Sequence, residues 1–206
     1  YDVVSSVGIT MTALRKDEIE GFASWHEFLK LHQRSTQSYA GGGTIVSAWW
    51  RMMVGGYFDP PGTGTQPVSE RIAVLFRYYA QQGQLGSFGS ALLPACPSDM
   101  PEAVEVNAVA EDLLMCQSFI SDVRNTLSGR RIFLTKKGYM GFGREDIRAG
   151  DVVGILPQVD KPLILRPTGS SATKFVNHGG CYVGGLMHGE ALRGFDTASA
   201  TTIDIV

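Results

Sequence analysis

Residues 174–192, KFVNHGGCYVGGLMHGEAL, set His178, Cys181, Tyr182, His188 and Glu190 among five glycines. Read as an extended segment, alternation puts His178, Gly180, Tyr182, Gly184, Leu186 and His188 on one face. Cys181, Val183, Gly185 and Met187 fall on the other. A zinc site would draw on the two histidines, Cys181 and Glu190. Alternation separates Cys181 from the histidines, however, and the ten residues from His178 to His188 span roughly 33 Å when extended. Metal is therefore not expected. A Cys–His nucleophile would pair Cys181 with His178 or His188. It needs a thiolate-stabilising neighbour, yet no helix N-terminus or known local signature flanks Cys181, and a buried cysteine commonly packs as a small hydrophobe. What remains is Tyr182 and His178 as hydrogen-bond donors, with Tyr182 standing between two positions that carry no side chain, Gly180 and Gly184. Such glycines mark either a bulge or turn in a tightly packed strand or the margin of a pocket, and both readings stay open.

A pocket needs walls, and Trp49, Trp50 and Met53 in TIVSAWWRMMVGG are candidates, together with Tyr139, Gly180, Gly184 and His188 as binding residues beside the donors Tyr182 and His178. Adjacent helical residues point about 100° apart, so the two tryptophans are expected to divide, one in the core and one at a boundary. Met52, Met53 and Met187 either adapt around a guest or fill core gaps. Asp151 and Arg166 are each capable of structural ion pairing, with turn and surface roles expected for both. The sequence has no G-x-S-x-G elbow, P-loop, dinucleotide fingerprint or H-E-x-x-H motif, so no cofactor is expected.

The elements that would hold these residues follow from periodicity. Residues 7–13 read as a strand. Residues 16–33 carry Ile19, Phe22, Trp25, Phe28, Leu29 and His32 at helical spacing. A short helix in 44–54 stops at Gly55-Gly56, and 57–67, YFDPPGTGTQP, reads as loop only. Ser69 caps a helix that ends at Gly83, and Pro101 opens the longest helical pattern, closed by Gly129. From Arg130 the pattern becomes extended: RIFLT, GYMGFG, DVVGILP, PLILRP, TKFVNH, CYVGGL and the final TTIDIV. The first strand is expected to join that later sheet, because alone it would leave its backbone groups unpaired.

The predicted fold is α+β: a helical N-terminal two-thirds packed on a small antiparallel β-barrel or curled sheet, formed mainly by the C-terminal third. Residues 1–206 are read as a single compact unit, with 1–129 mainly helical after an N-terminal strand and 130–206 β-rich. Of the 206 residues, 44% are hydrophobic and only 18% charged, against roughly 25% charged in an average soluble domain. That deficit fits apolar surface reserved for binding. A net charge of −2, with scattered Lys and Arg, argues against nucleic acid as a partner. No apolar run approaches the roughly 20 residues of a membrane span. Three cysteines, an odd number with no C-x-x-C pair, point to a reducing, cytoplasmic setting. The chain begins at Tyr1 rather than Met, so further residues are expected upstream.

The ordered series RRIFLTKKGYMGFG, AGDVVGILP, PLILRP and CYVGGLMHGEAL resembles the C-terminal region of fungal heterokaryon-incompatibility (HET) domain proteins. AWWRMMVGG is similar to the short Trp-Arg helix of that family's middle region. The HET domain itself, to which the family's non-self recognition is attributed, has no counterpart in these residues. Where family members often carry Glu and His around the Tyr, this chain has Gly180 and Gly184. The resemblance implies a fungal setting, and two functions follow as expectations. The first is a cofactor-independent enzyme of secondary metabolism that folds a small apolar organic substrate for intramolecular, Diels–Alder-like cyclisation. Orientation alone can supply roughly 7–11 kcal/mol there, and Tyr182 or His178 would polarise a carbonyl. The second is a non-catalytic recognition or scaffolding module that shows an aromatic or apolar patch instead of a closed cavity. A homodimer is the oligomer compatible with either.

Overall fold

Alternation in RRIFLT and MGFGR decides which side of a sheet each residue faces, and the computed structural model shows both runs as paired strands. It describes residues 2–10, 38–58, 66–67, 70–86, 110–156, 159–169, 173–193, 200 and 202–206. Three helices occur among them: α1 (Ile45–Met53), α2 (Glu70–Gln81) and α3 (Ala110–Leu127). The strands are β1 (Asp2–Thr10), β2 (Tyr57–Phe58), β3 (Gln66–Pro67), β4 (Arg130–Thr135), β5 (Met140–Arg144) and β6 (Val152–Gly154). They continue with β7 (Leu163–Pro167), β8 (Lys174–Gly180), β9 (Tyr182–Val183) and β10 (Asp204–Ile205).

Eight strands form one sheet in the order β10-β8-β7-β6-β1-β4-β5-β9, antiparallel except where β10 runs parallel to β8. As its extended pattern requires, β1 joins the later sheet; it pairs with β4 on one side and β6 on the other. The sheet curls so far that β8 and β9, which pair with β7 and β5 respectively, are separated in the chain by Cys181 alone. Among the described residues no ladder between edge strands closes it, so there it is a curled sheet and not a closed barrel.

Packing follows the alternation. Phe133, Ile147, Val153, Ile164, Cys181 and Val183 form a buried cluster inside the curl. Their neighbours Ile132, Met140 and Phe142 face the other way and join Trp49, Trp50, Met53, Phe76, Phe119 and Leu127 in a larger core between helices and sheet. On β5 the inward positions are Gly141 and Gly143, and side chains from elsewhere occupy the space. The Phe133 ring lies over Gly141, while Ile147 and Cys181 lie over Gly143. A strand with no side chains on its concave face permits a tight bend.

Two expectations need correction. A helical N-terminal two-thirds is not found: among the described residues before Gly129, β1 and the antiparallel pair β2–β3 stand beside the three helices. That pair sits within 57–67, read from its prolines and glycines as loop only. Two-residue strands are too short to show alternation. The helix predicted over 16–33 and the N-terminal part of the one opened by Pro101 lie outside the described residues, as does Cys96. The α1 boundaries match the expected signals. Thr44 caps its start, Oγ1 accepting from Ser47 N at 3.1 Å, and Gly55 and Gly56 follow its end with φ of 68° and 94°.

Asp151 and Arg166 also depart from their expected surface roles. Asp151 is 2% exposed and takes two bonds from Arg166, Nε to Oδ1 and Nη2 to Oδ2, each 2.8 Å. Asp151 Oδ2 accepts from Arg148 N as well, and Arg166 Nη2 donates to the Asp146 carbonyl. The turn between β5 and β6 is thereby bound to β7.

Candidate functional site

Tyr182 is half-buried, and its ring stacks on Phe142 with centroids 5.1 Å apart and planes 12° from parallel. The guanidinium of Arg130 lies over the far side of this stack, 5.2 Å from the Phe142 centroid. The hydroxyl end of Tyr182 reaches Gly56, where a Cβ would lie 3.3 Å from the phenol oxygen. Burial pushes the Tyr182 phenol above its usual range. The Arg51 guanidinium opposes that shift, while the Glu190 carboxylate and Tyr57 add to it. The phenol thus stays protonated at neutral pH and is able to donate.

Around it stand His188, expected as a binding residue, and three residues that the sequence reading did not assign to a pocket, Arg51, Tyr57 and Glu190. Arg51, on the last turn of α1, donates through Nε to the Ser47 carbonyl and through Nη2 to Ser47 Oγ, which holds the guanidinium in place. Glu190 Oε2 accepts from His188 N at 2.6 Å. His188 is exposed and meets the 44% exposed ring of Tyr57 edge to face, centroids 6.0 Å apart. The helix C-terminus, the start of β2 and the 184–190 turn therefore bring Arg51, Tyr57, Tyr182, His188 and Glu190 together. Chain distance hides this grouping, since the first two lie far upstream of the rest.

His178 lies elsewhere. A register shift between Leu163 and Leu165 opposite β8 marks a bulge, with Gly179 at φ 96°. The bulge breaks the alternation that would have aligned His178 with Tyr182. His178 Nδ1 donates to Asp146 Oδ2 at 2.7 Å in the turn after β5. For the Asp146 carboxyl, burial favours the neutral form, but the His178 hydrogen bond and charge together with Arg144 outweigh it and hold the group below its usual range. A lowered folded-state value means stability that is complete above the ordinary carboxylate range and lost as pH falls toward the folded-state value. We expect unfolding midpoints to drop between pH 5 and pH 3, and Asp146→Asn to flatten that slope; equal slopes in chemical denaturation of the two proteins would remove the effect.

The two missing side chains around Tyr182 do not leave matching gaps. Beside Gly184 stands Tyr39, whose hydroxyl donates to the Gly184 carbonyl at 2.8 Å and accepts from Met140 N at 3.0 Å. A Cβ on Gly184 would lie 3.0 Å from that oxygen. Burial drives the Tyr39 phenol far above its usual range, so it too remains a donor. Gly180 is exposed, with the aliphatic part of Lys161 beside it. Tyr139 is half-buried in the turn before β5, its ring edge-on to Tyr39 at 6.2 Å. Trp49, Trp50 and Met53 are all core residues; Trp50 packs between Phe76 and Phe119 at 5.4 and 5.5 Å. The expected division of the tryptophans fails because α1 is covered by helices on one side and by the sheet on the other, so residues 100° apart both find apolar partners.

Neither described thiol is poised as a nucleophile. Burial raises the Cys181 thiol well above its usual range, and its sulfur donates to the Pro162 carbonyl at 3.5 Å. Burial, with the nearby Asp112 charge, raises Cys116 to about 12. Among the described residues no group of three His, Cys, Asp or Glu side chains is placed to hold a metal, and no helix is long and apolar enough to cross a membrane.

Residues 9–196 match the family model described as the Het-6 beta-barrel domain, in line with the HET-related C-terminal region that the ordered motifs resemble. No curated protein and no solved structure matches the chain.

Proposed function

We propose, since the chain belongs to the Het-6 beta-barrel domain family, that it is a non-catalytic recognition module, and that its contact surface is the Tyr57–His188 patch with Tyr182 beneath. The observation that carries this reading is Tyr39, which occupies the space beside Gly184 and ties it to Met140. A cyclisation enzyme needs a chamber in which a flexible apolar substrate is folded. The aromatic and methionine residues that would wall it, Trp49, Trp50 and Met53, are instead committed to the core. Tyr57 and Leu192, at 44% and 47% exposure, give the surface apolar character next to the exposed His188, as recognition patches have. A reducing, cytoplasmic setting suits the buried free thiols of Cys116 and Cys181, the two cysteines among the described residues.

Titration with the neutral apolar fluorophore N-phenyl-1-naphthylamine tests the reading. The folded chain is expected to leave the probe dark. Saturable one-to-one uptake, competed by apolar dienes, would restore the cyclisation enzyme and end the recognition reading.

A further inference from the structure

The last strand of an open sheet has N–H and C=O groups with no neighbouring strand to meet them, and folded proteins cover such edges. In the eight-stranded sheet β9 is one of the two edge strands. Its register sets Val183 opposite Gly141, and Gly184 N donates to the Met140 carbonyl at 3.0 Å, so alternation turns the backbone groups of Val183 away from β5 and outward. The turn that follows takes both of them. Leu186 N donates to the Val183 carbonyl at 3.0 Å, and the Val183 N–H donates to Sδ of Met187 at 3.4 Å. A thioether is a weak acceptor, and this one stands near solvent. Met52, Met53 and Met140 are at most 3% exposed, whereas Met187 is half-buried and precedes the exposed His188, whose ring meets Tyr57.

We propose that Met187 is a site of reversible oxidation by hydrogen peroxide, and that its sulfoxide uncovers the edge of β9 and shifts the turn that carries His188. A sulfur lone pair attacks one peroxide oxygen. The S–O bond forms, the O–O bond breaks, sulfur gives up two electrons, and the second oxygen leaves as water with the proton of the first. An N···S separation of 3.4 Å has no room for an oxygen atom between its ends, so the oxidised side chain leaves the Val183 N–H. The sulfoxide is polar where the thioether was apolar, which draws the 184–190 turn toward solvent and parts His188 from Tyr57. The consequence for the Tyr57–His188 patch rests on the recognition reading above; the oxidation and the uncovering of Val183 do not.

Peroxide treatment of the folded full chain, followed by peptide mass spectrometry and residue-resolved amide hydrogen exchange, is the test. Met187 is expected to gain one oxygen at least about tenfold faster than Met52, Met53 and Met140, since susceptibility follows exposure. Exchange at the Val183 amide should then rise at least about threefold, as loss of one weak hydrogen bond implies. A mixture of the two epimer-specific methionine sulfoxide reductases with dithiothreitol should restore both readings on the unchanged chain. Met187→Leu keeps the bulk without the acceptor: Val183 should exchange faster before any peroxide is added, and peroxide should add nothing. Oxidation of Met187 no faster than that of the buried methionines, or full oxidation with Val183 exchange unchanged, overturns the proposal. Either result leaves the recognition reading standing, whereas uptake of the fluorophore removes that reading and leaves the oxidation of Met187 in place.

Discussion

Replacing Asp151 with alanine is expected to destabilise the fold by roughly 3–5 kcal/mol, the range for removing one partner of a buried ion pair. The carboxylate is 2% exposed and accepts three bonds, two from Arg166 and one from Arg148 N. Its loss leaves the Arg166 guanidinium, only 21% exposed at the side chain, with the Asp146 carbonyl as its remaining acceptor. Desolvation is not recovered when the partner vanishes, so the cost exceeds that of a surface pair, at most about 1 kcal/mol. Removing both charges should behave differently. Asp151→Leu with Arg166→Met takes away the uncompensated charge together with its partner, and is expected to regain much of the loss. Urea unfolding at pH 7 would measure both as shifts in midpoint at constant slope. A loss below about 1 kcal/mol in Asp151→Ala would place the pair among surface ion pairs.

This pair also shows where the sequence stops being legible. AGDVV and LILRP reveal strands, because apolar runs bounded by glycine and proline carry their own signal, and β4 to β10 each overlap a segment read that way. They do not reveal that the Asp at the edge of one is buried against the Arg at the end of another. Burial of a charge depends on which strands become neighbours, and order in the sheet is not local. The candidate site divides similarly. Tyr182 stands out as a phenol flanked by glycines, and the fold half-buries it. The occupant of the space beside Gly184 is not readable, since Tyr39 is separated from Gly184 by 145 positions and from Met140 by 101. Alternation was the rule that misplaced His178 relative to Tyr182. One left-handed residue, Gly179, is enough to break a period of two.

The glycines of the sheet offer the sharpest contrast between a residue absent for packing and one absent without consequence. At Gly141 an added Cβ would overlap the Tyr182 carbonyl and come 2.5 Å from the Phe133 ring. The carbonyl belongs to the β5–β9 ladder, where Gly141 is paired with Val183 and Phe142 with Tyr182, so relief requires the seam of the curl to part. Gly141→Ala is expected to cost about 3 kcal/mol, the upper end of the usual overpacking range. Shortening the aromatic ring in Gly141→Ala/Phe133→Leu should rescue little, because the backbone contact remains. At Gly180 the same methyl would meet Lys161 carbons no closer than 3.7 Å. The backbone there is not left-handed, and Gly180→Ala should fall within about 0.5 kcal/mol of the parent. Thermal and urea unfolding of the two single variants would read the difference directly. If Gly141→Ala were as harmless as Gly180→Ala, β5 and β9 would have slack between them, and the inner face of the curl would have room that the packing of Phe133, Ile147 and Cys181 denies it.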